Sequence, residues 1–190
     1  RWEQLTLFSG GAFGYVPGSD TIVNSIKRVE PGNLLRYSYK NDEYEIVNYW
    51  TPKLNKRNKI PNQSLDKIIG ESVKLRMISD VPLGAFLSGG IDSSIVVALM
   101  SKYSNVPVKT FTVGFEEQEF NELPLSRIVA KRYRTEHHEY VLKPDIKSIL
   151  PDIVWYADEP FGDSSALPTY FLAKMAAQEV TVALNGDGAD

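Results

Sequence analysis

Phe86-Leu87-Ser88-Gly89-Gly90-Ile91-Asp92-Ser93-Ser94 stands between two apolar runs of different rhythm. Upstream, Val81 to Leu87 is apolar except for Pro82 and Gly84, as a buried strand requires. Downstream, Ile95, Val96, Leu99, Met100 and Tyr103 fall at helical spacing. A strand that enters a helix through a Gly-Gly turn opens a βαβ unit. The chain keeps that rhythm. Strands are predicted over Val108–Phe115, His137–Leu142 and Val180–Leu184, and helices over Glu122–Tyr133, Asp145–Tyr156 and Leu167–Gln178. Before the motif, Leu65, Ile68, Ile69 and Val73 predict one more helix, with Ser64 as its N-cap. Alternating strands and helices predict an α/β fold, a doubly wound parallel sheet with helices on its faces.

The turn itself suggests its chemistry. Two glycines let the backbone bend tightly and come close to a ligand. The helix that follows begins with free N–H groups and the positive end of its dipole, which favours an anion there. Ser88, Ser93 and Ser94 add hydroxyls. Asp92 is out of place beside a phosphate unless a divalent cation lies between them, and Mg²⁺ bridges carboxylate and phosphate oxygens in this way. The pattern is neither a G-x-x-x-x-G-K-[ST] loop nor a G-x-G-x-x-G turn. Ser9-Gly10-Gly11 serves as an internal control: Ala12-Phe13-Gly14 follows it, without an acid or a helical run.

A second acidic turn, Asn185-Gly186-Asp187-Gly188-Ala189-Asp190, follows the strand predicted at Val180–Leu184. Ligands of open α/β sheets bind at the carboxyl ends of the strands. Both acidic turns are expected at that edge, where Asp92 and Asp190 can share metal ions on one polyphosphate. Taken alone, Asp187 and Asp190 also fit an ordinary surface turn.

The first fifty residues differ in character. Leu34 to Tyr39 and Tyr44 to Trp50, separated by Lys40-Asn41-Asp42, predict a β-hairpin. Residues 51–63 are polar, basic and bounded by proline, which reads as a linker. The chain has 190 residues and a net charge of −3, so no basic surface for nucleic acid is indicated. It contains no cysteine, which excludes disulfides, zinc–thiolate sites and sulfur transfer by these residues. No apolar run approaches the ~20 residues of a membrane span. The first residues, Arg1-Trp2-Glu3-Gln4, do not resemble a signal peptide, so a cytoplasmic protein is expected. Arg1 at one end and a Gly-rich acidic turn at the other read as a piece of a longer chain.

Ser88 to Ser94 resembles the pyrophosphate loop of the N-type ATP pyrophosphatases. The longer string from Ser79 to Ser94 is similar to the asparagine synthetase branch of that family. Asp158-Glu159-Pro160-Phe161-Gly162-Asp163-Ser164-Ser165-Ala166-Leu167-Pro168-Thr169-Tyr170 and the Gly-Asp-Gly-Ala-Asp end agree with it. Phe13-Gly14-Tyr15-Val16-Pro17-Gly18 and Val29-Glu30-Pro31-Gly32 resemble the end of that branch's glutaminase domain.

The resemblance implies three segments: the C-terminal part of an α+β glutaminase domain at 1–50, a linker at 51–63, and a truncated ATP-pyrophosphatase domain at 64–190. It implies ATP and Mg²⁺ as cofactors and aspartate with glutamine, or ammonia, as substrates. Nucleic acid and membrane are not implied as partners; a homodimer is compatible. Ser88, Gly89, Gly90, Asp92 and Ser93 match the pyrophosphate loop, Phe86 or Leu87 and Val113 the adenine and ribose lining, and Asn185 and Gly186 nucleotide contacts. Asp92 and Asp190 match metal carboxylates. Asp187 matches the acid–base residue for the attacking ammonia, a position that is often Glu. Thr and Arg, found in some members near the positions of Asp163 and Ser164, are absent here. The family's N-terminal nucleophilic cysteine and a lysine beyond the second loop lie outside these residues, so the segment alone is expected to be inactive.

The same loop also fits a relative with another carboxylate acceptor, such as a β-lactam-forming synthetase or another amidotransferase. An RNA-modifying ATP pyrophosphatase fits less well with the acidic composition and the absence of cysteine. His137 and His138 are adjacent on a predicted strand and point to opposite faces, which argues for structural roles. Lys53, Lys56, Arg57 and Lys59 read as a solvated connector. Tyr44, Tyr49 and Trp50 are expected as core or domain-contact aromatics. Trp155 and Tyr156 could line the site near Asp158, but core packing is the better expectation.

Overall fold

The turn at Lys40-Asn41-Asp42 closes the predicted hairpin. In the computed structural model, which describes residues 13–52, 64–115, 121–142, 146–158 and 162–187, β1 (Asn33–Ser38) pairs antiparallel with β2 (Glu43–Asn48). Asn33 faces Asn48 and Ser38 faces Glu43 at the two ends of the ladder. Asp42 takes the left-handed conformation that ends the turn, at φ 55°, and its carboxylate accepts the Tyr37 hydroxyl. Arg36 and Glu45 form a cross-strand ion pair at 2.7 Å. Tyr44, Tyr49 and Trp50 are exposed, so of the two expected roles, core packing and domain contact, the first is ruled out.

Packing divides the chain into two compact units. One holds residues 1–60 and 149–164, the other residues 61–148 and 165–190. In the first, Gly162 donates its N–H to Gly14 O at 2.8 Å, and Val16 is buried. Residues 53–63 of the predicted linker at 51–63 lie outside the described residues, as does the Ser9-Gly10-Gly11 turn.

The second unit contains α1 (Leu65–Arg76), β3 (Leu83–Phe86), α2 (Ile91–Tyr103), β4 (Lys109–Phe115), α3 (Leu123–Tyr133), β5 (Glu136–Leu142), α5 (Ala166–Ala176) and β6 (Val182–Leu184); α4 (Ile146–Ala157) spans the division. Every element follows the predicted order, with ends shifted by a few residues. The last strand begins later than predicted because Val180 N still bonds to Ala176 O, in the turn that leaves α5. Trp155 and Tyr156 of α4 are exposed, contrary to the expected packing. The apolar faces of an amphipathic helix do not by themselves say what covers them.

The four parallel strands lie in the order β5-β4-β3-β6. Side chains of β3 alternate between the two faces, as the pleat requires. Leu83, Ala85 and Leu87 pack with Val73 of α1, Val97 and Met100 of α2, and Ala130 of α3. Phe86 lies with Phe111 of β4 against Leu172, Met175 and Ala176 of α5. The sheet is therefore doubly wound, with a separate apolar layer on each face. A Cβ on Gly84 would lie 2.8 Å from the Phe111 ring, so the missing side chain makes room for that aromatic.

Candidate active site

The chain leaves β3 toward β4 and β5 on one side, then returns to place β6 on the other. The carboxyl ends of β3 and β6 thus bound a topological switch point, the usual ligand crevice of an open α/β sheet. Residues 88–94 leave from the first strand and Asn185-Gly186-Asp187 from the second.

Gly89 adopts φ +84°, and its missing side chain serves the protein itself. A Cβ there would lie 2.6 Å from Leu125 Cβ and 2.7 Å from Ser126 N, so the loop rests on the first turn of α3. Gly90 is the N-cap of α2, with φ −65° and ψ 166°. Its neighbourhood is open: the contact an added Cβ would make is with Ser88 Oγ at 3.2 Å. The two glycines do different work, the first against the scaffold and the second toward solvent.

The serines bind the turn internally. Ser88 Oγ and Ser93 Oγ lie 2.9 Å apart, Ser93 Oγ donates to Gly90 O at 3.3 Å, and Ser88 Oγ accepts Gly90 N–H at 3.2 Å. Ser93 is buried, while Asp92 beside it is exposed in the first turn of α2. The helix start therefore presents N–H groups without helical partners, beside the exposed Asp92 carboxylate.

The second loop meets the first through Gly186. A Cβ on Gly186 would lie 2.7 Å from Ser93 N and 2.9 Å from both Asp92 C and Asp92 Cβ. The Asn185 side-chain amide donates to Asp187 Oδ2 at 2.7 Å. Asp190, with Gly188 and Ala189, lies outside the described residues. Of the residues matched to the base and ribose, Phe86 is half-buried and Val113 buried. Leu87 is held by the fold: its side chain is in the core, its N–H bonds to Phe111 O, and its carbonyl accepts the Thr112 hydroxyl. The structure thus brings Ser88, Gly90, Asp92, Ser93, Asn185, Gly186 and Asp187 to one crevice.

The histidines sit on opposite faces, as their adjacency predicted. His137 Nδ1 lies 2.9 Å from Thr110 Oγ1, which also lies 2.8 Å from Thr135 Oγ1. Burial pushes the His137 ring below the ordinary imidazole range, against the opposing pull of Glu139. His138 stacks on Phe111, with ring centroids 5.1 Å apart. Glu136, His138 and Glu179 draw together, a grouping the sequence did not show. It lies at the edge where β4 and β5 begin, opposite the crevice, and the Lys109 ammonium already pairs with Glu179 and with Glu136 at 3.7 Å. Arg127 binds Glu139 through two hydrogen bonds, at 2.7 and 2.6 Å, and holds its carboxyl below the usual carboxylate range.

Sequence comparison bears on the same residues. The family described as Asparagine synthase matches residues 64–190. The chain belongs to the asparagine synthase family. It is 38% identical over 186 residues to a putative asparagine synthetase [glutamine-hydrolyzing] 2 of Methanocaldococcus jannaschii, covering 94% of this chain and 36% of that protein. It is 39% identical over 184 residues to asparagine synthetase [glutamine-hydrolyzing] 1 of Bacillus subtilis, covering 94% and 29%. The chain thus spans about a third of the length of these asparagine synthase relatives. Among solved structures, an NMN synthetase from Francisella tularensis superposes with a TM-score of 0.47 and 16% identity, covering 67% of this chain and 56% of that one. No helix among the described residues is long and apolar enough to cross a membrane.

Proposed function

We propose that this chain carries the adenylating part of a cytoplasmic, glutamine-dependent asparagine synthetase. The supporting observation is the meeting of the Ser88–Ser94 loop and the Asn185–Asp187 loop at the switch point, with Gly186 against Asp92 and Ser93. The family membership of residues 64–190 supports it independently. Residues 1–50 are then the end of a glutaminase domain and 51–63 the connection to it.

In this reading the N–H groups at the start of α2 and the Ser88 and Ser93 hydroxyls receive the β- and γ-phosphates of ATP. A carboxylate oxygen of aspartate attacks the α-phosphorus, the bond from Pα to the bridging oxygen breaks, and pyrophosphate leaves. Ammonia then attacks the carbonyl carbon of the acyl-adenylate, loses a proton to Asp187, and AMP departs. The adenylate is needed because a free carboxylate is a poor electrophile. The exposed Asp92 carboxylate is a hard oxygen donor beside the phosphate cradle, which suits Mg²⁺; Asp92 and Asp190 would hold it. Bound there, the ion screens phosphate charge. Phe86 and Val113 would flank the base and ribose.

Phosphorus NMR of the longer protein turning over ATP, aspartate and ammonia tests the reading. AMP and pyrophosphate are the expected products, and ADP with orthophosphate would reject it. Replacing aspartate by other carboxylic acids in the same mixture separates this acceptor from those of related amidotransferases.

A further inference from the structure

We propose that Thr112 is a positioning residue for the pyrophosphate loop, acting through the peptide that joins Leu87 to Ser88. The proposal rests on reading Ser88–Ser94 as the loop that receives the phosphates of ATP. It starts from a polar side chain in an apolar layer. Thr112 of β4 is 2% exposed. Its neighbour Phe111 points to the face covered by α5, so Thr112 lies on the other, where Leu87 packs with Val97, Met100 and Ala130. A buried hydroxyl is unfavourable there unless it has a hydrogen-bond partner. Its partner is the Leu87 carbonyl.

That carbonyl stands where the ladder stops. β3 pairs with β4 as far as Phe86 and Phe111, and Leu87 adds one more bond, from its N–H to Phe111 O at 2.9 Å. The register carries Thr112 alongside Leu87, so a side-chain hydroxyl takes the carbonyl that follows the last rung. A trans peptide is planar, with its carbonyl oxygen and amide hydrogen on opposite sides. Holding Leu87 O toward β4 therefore turns Ser88 N–H away from β4, to the side of β3 on which β6 lies. That is the side of the crevice. One residue further on, Gly89 is pressed against Leu125 and Ser126 of α3, so the backbone is held on both sides of Ser88. Thr112 thus aims, from inside the core, a donor on the crevice wall, and touches no substrate itself.

The test uses the longer protein and follows pyrophosphate exchange into ATP. Thr112→Val keeps the shape and removes the hydroxyl. It should raise the KM for ATP about tenfold, the order expected when a hydrogen bond to a charged group is lost. The exchange rate at saturating ATP should stay within about threefold, because the bond serves substrate and transition state alike. Thr112→Ser restores the donor and should keep the KM within about twofold of native. Thr112→Ala lacks the hydroxyl without placing a methyl against the Leu87 carbonyl; it should raise the KM likewise and serves if the valine variant does not fold. Thr110→Val is the structural control. It deletes a similarly buried hydroxyl from the same strand and face, one bonded to Thr135 and His137 rather than to the loop. It should lower the urea midpoint, as Thr112→Val does, but with a native KM. A native KM in Thr112→Val would overturn the proposal, as would a KM raised equally in Thr110→Val or in Thr112→Ser. Undiminished exchange in Asp92→Asn would instead reject the reading of the loop, and this inference with it.

Discussion

A side chain on Gly186 would place its Cβ 2.7 Å from the backbone nitrogen of Ser93, at the start of α2. That N–H is among the donors a helix leaves without an internal partner, and the ones an anion approaches. Gly186→Ala must therefore push the second loop away or fill the space beside the cradle. Pyrophosphate exchange into ATP should fall about a hundredfold. The loss of folding stability should stay near the 1–3 kcal/mol typical of overpacking. Exchange at the native rate would show that the two loops are not jointly required.

Asp92→Asn should abolish adenylation in the longer protein while leaving its fold intact. The carboxylate is exposed, so removing its charge leaves no buried partner unpaired. Glutamine hydrolysis, proposed for the other domain, should continue. Undiminished pyrophosphate exchange would remove Asp92 from the site.

Gly89→Ala should act on both stability and nucleotide binding. The residue stands at φ +84°, and its new Cβ would meet Leu125 and Ser126 at 2.6–2.7 Å. Positive φ costs an L-residue about 1–2 kcal/mol before any clash is counted. Thermal denaturation should show a lowered midpoint, whereas Gly90→Ala, with φ −65°, should melt close to the native protein.

Stability should depend on His137 below neutral pH. Burial lowers its folded pKa, so the unfolded chain binds the proton first as pH falls. Where the unfolded state holds more protons, stability rises with pH. The His137 contribution is thus intact above the ordinary imidazole value and declines as pH falls toward the lower folded value. Glu139, held down by Arg127, loses its contribution separately, at carboxylate pH. Urea midpoints between roughly pH 7 and 5 should slope in the native protein and flatten in His137→Gln. Equal slopes would place the titration elsewhere.

Most of the secondary structure was legible because the chain changes period cleanly. Leu65, Ile68, Ile69 and Val73 have helical spacing, and Val108–Phe115 reads as a strand, observed at Lys109–Phe115. The Ser88–Ser94 turn was legible because its residue types fit one kind of ligand. Strand order was not: nothing in Val182–Leu184 says that it pairs with β3 rather than β5. The reason for Gly89 was also hidden, since its neighbour Leu125 is distant in sequence. Exposure of Trp155 and Tyr156 escaped the reading because composition alone treats large aromatics as buried. The Glu136–His138–Glu179 grouping depends on the crossing of segments, which no local pattern records.

The position of β6 has a consequence for synthesis on the ribosome. Of the four parallel strands, β3 emerges first and β6 last, yet they are neighbours in the finished sheet. A nascent chain that has released β3, β4 and β5 already owns the Ser88–Ser94 loop, but with one wall of the crevice missing. The proposed nucleotide cradle is whole only once β6 lies beside β3. In the proposed function ATP favours the sheet with β6 in place, by about 2.7 kcal/mol at a hundredfold excess over its Kd. Under the proposed function, a nascent chain stalled before β6 has the Ser88–Ser94 loop but no ATP-consuming crevice between β3 and β6.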